Sequence, residues 1–389
     1  MNRYTPMQVL KAVRAADTTF NRKEYQKAAL KYKKAISMDH RQPIAWFRLA
    51  LCYHKLGNIA EAVRNYEHAF ELEKAFEIAL NKGMAYLLLK DVDNAIRSFT
   101  QAIAADQGSE TSRNKGQAFF QMGRAHLVKE EPRKASNYFE RSEKCEDSPK
   151  SLISFFRADL ARQQGHVTEA IALYERALEL DTSFSDAVLQ LAIIYLGQGN
   201  GDKALKVVNS FLKENSAEEN TEMWTLRGDI HASLNDFSNA EFSYKQAIAR
   251  SPTFQAQFGL SKALIHLGKV EDAAKEIGRM LEKDPKNVDA LALQSDVLWA
   301  QGKKEEAVSF LNENLVFYYP KEPTILRKTV QFLLNLGRFE EAKIHLHILA
   351  EIPDWSATYN LGQIYSEDQF FSQEKANEYF DKALKLAKS

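Results

Sequence analysis

Glu61-Ala62-Val63-Arg64-Asn65-Tyr66-Glu67-His68-Ala69 returns later in the chain as Glu169-Ala170-Ile171-Ala172-Leu173-Tyr174-Glu175-Arg176-Ala177. In both stretches Ala, Tyr and Ala stand at i, i+4 and i+7, which puts them on one face of an α-helix. The same marker, an Ala followed four residues on by a large apolar side chain, recurs throughout. It falls at Ala28, Ala62, Ala95, Ala135, Ala170, Ala204, Ala240, Ala273, Ala307, Ala342 and Ala376. The successive spacings are 34, 33, 40, 35, 34, 36, 33, 34, 35 and 34 residues. So regular a beat defines a repeat architecture of stacked helical units.

Ahead of each marker lies a first helix. It is clearest in Trp46, Leu49, Ala50 and Tyr53, and recurs as Phe119, Met122, Gly123 and His126, and as Val188, Leu191, Ala192 and Tyr195. A glycine often ends this helix: Gly57, Gly165, Gly199, Gly268, Gly302 and Gly337. Glycine takes the left-handed conformation that a tight helix-to-helix turn requires. Prolines at the close of several units (Pro252, Pro285, Pro320, Pro353) stop the second helix. Small residues such as Ala50, Ala62, Gly83 and Gly123 let helix backbones approach, and aromatic side chains fill the space toward the next unit.

Taken together, these features resemble the tetratricopeptide repeat family over about residues 9 to 388. The resemblance implies an all-α fold: a right-handed superhelical α-solenoid of about eleven helix-turn-helix repeats, with the first helices lining a concave face. As domains, residues 1–389 read as a single solenoid, with a basic N-terminal capping repeat (1–42), nine central repeats (43–353) and a C-terminal repeat (354–389). The first unit offers only Ala12, Ala15, Ala16 and Thr19 on its first helix, hence the cap assignment. A polar loop, Asp106 to Arg113, accounts for the 40-residue spacing. Pro132 fits the first turn of a helix. In the last unit Thr358, Leu361, Gly362 and Tyr365 match the first helix. The longer turn Glu367 to Gln373 resembles the Sel1-type variant, and charged outer residues are expected to close the array.

Composition narrows the function classes. The 389 residues carry 52 basic and 52 acidic side chains, a formal net charge of +0, so no overall field favours nucleic acid or membrane. Cys52 and Cys145 have no metal-ligand spacing and read as small buried thiols. The N-terminal stretch has no apolar signal core and no apolar run is long enough to span a bilayer, so a cytoplasmic protein that is not an integral membrane protein is expected. His345 and His347 lie two apart and point in different directions on a helix, and neither a metal-binding histidine pair, a phosphate loop nor a nucleophile elbow is present. No enzyme, cofactor, metal or small-molecule substrate is expected; the expected role is a scaffold or adaptor in a multiprotein assembly, with self-association open.

Two surfaces are candidates for that role. Positions 2, 5, 9 and 12 of the first helices, which the resemblance places on the concave face, include Phe47, Leu51, Leu80, Met84, Leu87, Phe120, Arg124, Phe155, Leu189 and Ile193. So large an apolar strip calls for a cover, such as a helical or extended segment of a partner protein. Farther on, Asp229 and Asp296 turn the wall acidic, which suits a partner's basic end. The carboxylate clamp of the family's co-chaperones is absent, because Phe47 and Leu51 precede Asn81, and Gln117 and Gln121 follow it. The second surface is the basic cap, notably Lys23, Lys27, Lys31 and Lys34: residues 1–35 hold nine basic against two acidic side chains. This is the alternative reading, an RNA- or anionic-membrane-associated protein, although alternating charge blocks farther on disfavour a continuous track for nucleic acid.

Overall fold

The computed structural model describes residues 4–106, 115–215, 220–351, 355–366 and 372–388. Among them there are 22 α-helices and no strand. The chain divides into two compact units, Met1–Ile194 and Tyr195–Ser389, with the division inside one helix. The first unit opens with α1 (Pro6–Asn21), α2 (Tyr25–Met38), α3 (Pro43–Lys55), α4 (Ile59–Leu72), α5 (Phe76–Leu88) and α6 (Val92–Ala105). It continues with α7 (Lys115–Val128), α8 (Pro132–Glu143), α9 (Lys150–Gln163) and α10 (Val167–Leu180), and the division falls within α11 (Ser185–Gly197). The second unit holds α12 (Gly201–Glu214), α13 (Thr221–Ser233), α14 (Phe237–Arg250), α15 (Phe254–His266), α16 (Val270–Lys283) and α17 (Val288–Ala300). Its remaining helices are α18 (Lys304–Leu311), α19 (Pro323–Asn335), α20 (Phe339–Ala350), α21 (Trp355–Ser366) and α22 (Gln373–Lys388).

Every marker alanine falls in an even-numbered helix, and all eleven are buried. The seam between paired helices is narrow. A methyl group added to Gly83 would stand 2.4 Å from Cε1 of Phe99, and one added to Gly123 would stand 2.4 Å from Cε1 of Phe139. The same position holds Gly228 against Tyr244 and Gly362 against Phe380. At the corresponding place in α19 and α20, Val330 shares a core cluster with Leu346.

The six helix-ending glycines all have positive φ, between 71° and 81°. Among the described residues, four turns without glycine keep the same conformation with Lys23, Lys90, Glu130 and Asn235, at φ of 57–62°. Pro6, Pro43, Pro132 and Pro323 sit in the first turns of their helices, where no N–H is needed. Pro252 and Pro285 follow the ends of α14 and α16, as expected, and Pro320 follows the turn after α18. Pro353 lies outside the described residues, as do 107–113 of the expected polar loop and 367–371 of the longer last turn.

Three further features stand out. The first helix pair is a full repeat: α1 buries Val9, Val13, Ala16 and Thr19, and Ala16 joins Tyr32 in a core with α3. Downstream of α18, a π-helical turn, Asn312–Val316, inserts one residue, so that Leu315 is buried at the place regular spacing would give Asn314. This accounts for the 35-residue step between Ala307 and Ala342. Finally, in the last pair a hollow of about 440 Å³ is lined by Tyr359, Phe380, Asp381, Ala383, Leu384 and Ala387.

Candidate functional site

Within the first unit, α3, α5 and α7 run side by side in the repeat register and present corresponding positions to one hollow of about 340 Å³. Four of the residues expected on the groove meet there: Leu51, Met84, Leu87 and Arg124. Leu88 extends the apolar floor, while His54, Lys55, Asn81 and Gln121 supply polar atoms. The nine lining residues include two permanent cations and no carboxylate. Arg124 is exposed, donates to Oε1 of Gln121 at 3.1 Å, and lies 6.0 Å from the Phe120 ring centre and 5.8 Å from that of Phe156. His54 approaches the Tyr66 hydroxyl at 3.4 Å; burial first, then the Lys55 charge, holds its imidazole below the usual pKa. The hollow therefore offers apolar contact area, neutral hydrogen-bonding groups and a positive rim. It contains no nucleophile–base pair that would do chemistry.

The other expected wall residues divide. Leu80 and Phe120 are core: Phe120 is only 2% exposed and packs on Phe139 and Phe156. Phe47 is half-buried against Tyr66, and Phe155 is half-buried between Tyr174 and Phe184. Leu189 is half-buried and Ile193 is 51% exposed, so apolar surface continues toward α11. Position 5 of the first helix faces the seam aromatic of its own repeat, which explains why Leu80 and Phe120 face inward.

The acidic wall residues are engaged within their own fold. Asp229 accepts from the Tyr244 hydroxyl at 2.7 Å and from Gln255 at 3.3 Å, and burial raises its carboxyl above the usual range against those two bonds. Asp159 accepts from Tyr174 in the same way, and Asp17 from Tyr32 at 2.5 Å. All three pairs are fifteen residues apart. A repeat with Tyr as its seam aromatic thus places Asp at position 9 of its first helix, satisfying a phenol that burial would otherwise strand. Tyr66 is the exception, with Leu51 at position 9 and His54 as its neighbour. This spacing was visible in the sequence and would have identified these aspartates as structural. Asp296 forms an ion pair with Lys328 at 2.5 Å. In the second unit, Asp229, Phe258, Lys262 and His266 border a more polar hollow of about 570 Å³.

Lys23, Lys27, Lys31 and Lys34 are exposed around α2. Lys27 pairs with Glu24 at 2.8 Å, and Lys31 donates to Thr19 at 2.6 Å. Both cysteines are buried, and burial pushes the Cys52 thiol up to about 12. Among the described residues no three His, Cys, Asp or Glu side chains gather into a metal cage, and no helix is long and apolar enough to cross a membrane.

Comparison with known proteins bears on this architecture. Family models described as tetratricopeptide repeat match residues 43–76, 76–108, 120–183, 161–230 and 232–297. Tetratricopeptide repeat protein 21A of Mus musculus is 23% identical over 259 residues, which are 60% of this chain and 19% of that protein. TPR repeat-containing protein YpiA of Bacillus subtilis is 25% identical over 232 residues, 58% of this chain and 53% of the relative. The chain thus spans about a fifth and about half of the lengths of these two relatives. Among solved structures, a tetratricopeptide repeat protein from Parabacteroides merdae aligns with 66% of this chain and 99% of its own, at 14% identity and a TM-score of 0.49. The C-terminal part of a TPR repeat-containing protein from Cytophaga hutchinsonii aligns with 64% of this chain and 99% of its own, at 16% identity and a TM-score of 0.47.

Proposed function

Because the chain belongs to the tetratricopeptide repeat family, we propose that it is a non-catalytic protein-interaction scaffold that takes a partner segment into the hollow between α3, α5 and α7. One observation carries this reading: Leu51, Met84 and Leu87 line a shared hollow without a carboxylate, with Lys55 and Arg124 beside them. An apolar floor with a positive rim fits the apolar face of a helical or extended segment that also carries acidic side chains. Direct contact area supplies the affinity, and the rim charges select the partner and its orientation. The protein acts in this reading as an adaptor in the cytoplasm, within a larger assembly.

The test is a triple substitution, Leu51→Ser, Met84→Ser and Leu87→Ser, compared with wild type in affinity purification and circular dichroism. None of the three belongs to the buried core, so helicity is expected to hold while the co-purifying partner is lost. Partner recovery equal to wild type from the folded triple variant overturns the assignment.

A further inference from the structure

A second surface lies away from this groove, on α2. In its fourteen residues α2 carries Lys27, Lys31, Lys33 and Lys34 and no Asp or Glu, whereas every other even-numbered helix has at least one acidic residue. Its buried face is Ala28, Ala29, Tyr32 and Ala35. On the opposite side Leu30 is 67% exposed. Residues three and four apart are neighbours on a helix surface, so the residues around Leu30 are Gln26, Lys27, Lys33 and Lys34. A leucine left in water among lysines has no packing role within the repeat. On its own solvent face, α1 also carries exposed Met7 (74%), Leu10 (45%), Lys11 and Arg14. Glu24, just before α2, pairs with Lys27 at 2.8 Å.

From these observations we infer that the outer face of α2 docks on an anionic lipid surface. Lysine ammonium groups meet the headgroup charge while their methylene stems and Leu30 enter the interfacial layer. Charge complementarity selects the occupant: α2 carries four lysines and no acid in a chain whose formal net charge is +0. Apolar side chains between the cations favour lipid over RNA, which would ask for exposed aromatic rings to stack on bases. α2 has one tyrosine at its start and one in its buried face, and none beside Leu30. With few cations and one leucine, the attachment is reversible and sensitive to salt.

Co-sedimentation of the full chain with vesicles tests this. Vesicles of phosphatidylcholine with about 30% phosphatidylserine should bind at low salt, and vesicles of phosphatidylcholine alone should not. Each lysine removed should weaken binding about 5-fold, so Lys27→Gln with Lys34→Gln should cost about 25-fold. Lys27→Arg with Lys34→Arg should restore it, and Leu30→Ser should weaken it at unchanged charge. All three positions are exposed, so the variants keep the fold. The inference is overturned if the anionic vesicles leave the wild type in solution, if the Gln pair binds as tightly as wild type, or if single-stranded RNA binds more tightly than the vesicles.

Discussion

Gly83→Ala should destabilise the protein even though alanine is the better helix former. In α5, the added Cβ would lie 2.4, 2.6 and 2.9 Å from three carbons of the Phe99 ring. Carbon atoms sit comfortably at about 3.5–4.0 Å, so helix or ring must move by roughly 1 Å. Phe99 is fully buried within the same cluster as Ala79, Ala95 and Ala118 and has no open side to turn toward. Overpacking of this kind costs about 1–3 kcal/mol, while replacing a helix-interior glycine by alanine gains about 1 kcal/mol. The net expectation is a loss of up to about 2 kcal/mol. Gly278 in α16 supplies the internal control, since its added Cβ would meet nothing within 4 Å. Gly278→Ala should therefore stabilise by about 1 kcal/mol. Urea denaturation followed by circular dichroism reads both. Because repeat arrays can unfold in stages, the transition of the unit that carries the substitution is the one compared. Adding Phe99→Leu to Gly83→Ala should recover part of the loss, a coupling that a double-mutant cycle measures. Equal stabilisation by the two glycine substitutions would refute the seam argument.

Glu130→Gly should raise stability by about 1 kcal/mol, because Glu130 is an exposed side chain held at φ 57°, where an L-residue is strained; a denaturation midpoint at or below wild type contradicts this. Acidification should destabilise the second unit through His231 and His345. Burial holds both imidazoles below their ordinary pKa, so the unfolded chain takes up protons first, near pH about 6.5. Their contribution is complete above that pH and is lost as pH falls through the lowered folded values. Midpoints at a series of pH values should fall less steeply for His345→Gln than for wild type, and an equally steep fall contradicts the assignment.

The repeat, its register and its turns were legible because they rest on local rules. The marker alanines could be read off the chain because any larger side chain is excluded at the seam, and each of the six predicted turn glycines has positive φ. The sequence gives less warning where one physical demand has several solutions. Lys90 and Glu130 accept a strained turn that glycine would take freely, and nothing in their chemistry announces it. The π-helical turn at Asn312–Val316 appears in the sequence only as one extra residue in a spacing. At the candidate groove, Leu51, Met84, Leu87 and Arg124 line one hollow, because helix periodicity sets direction. Leu80 and Phe120 are buried instead, because their position faces the seam aromatic of their own repeat. Asp229 was placed on the wall without its partner, although Tyr244 stands fifteen residues on and claims it.

The account depends on a partner occupying the hollow between α3, α5 and α7, and site-specific photo-crosslinking in cells tests this most directly. A photoreactive side chain at Met84 should form a discrete adduct with a partner protein, and the adduct should vanish when Leu51→Ser is added. The same group at Lys275, on the exposed surface of α16, should form none. Absence of an adduct at Met84, or the same adduct from both positions, would contradict the assignment of the groove.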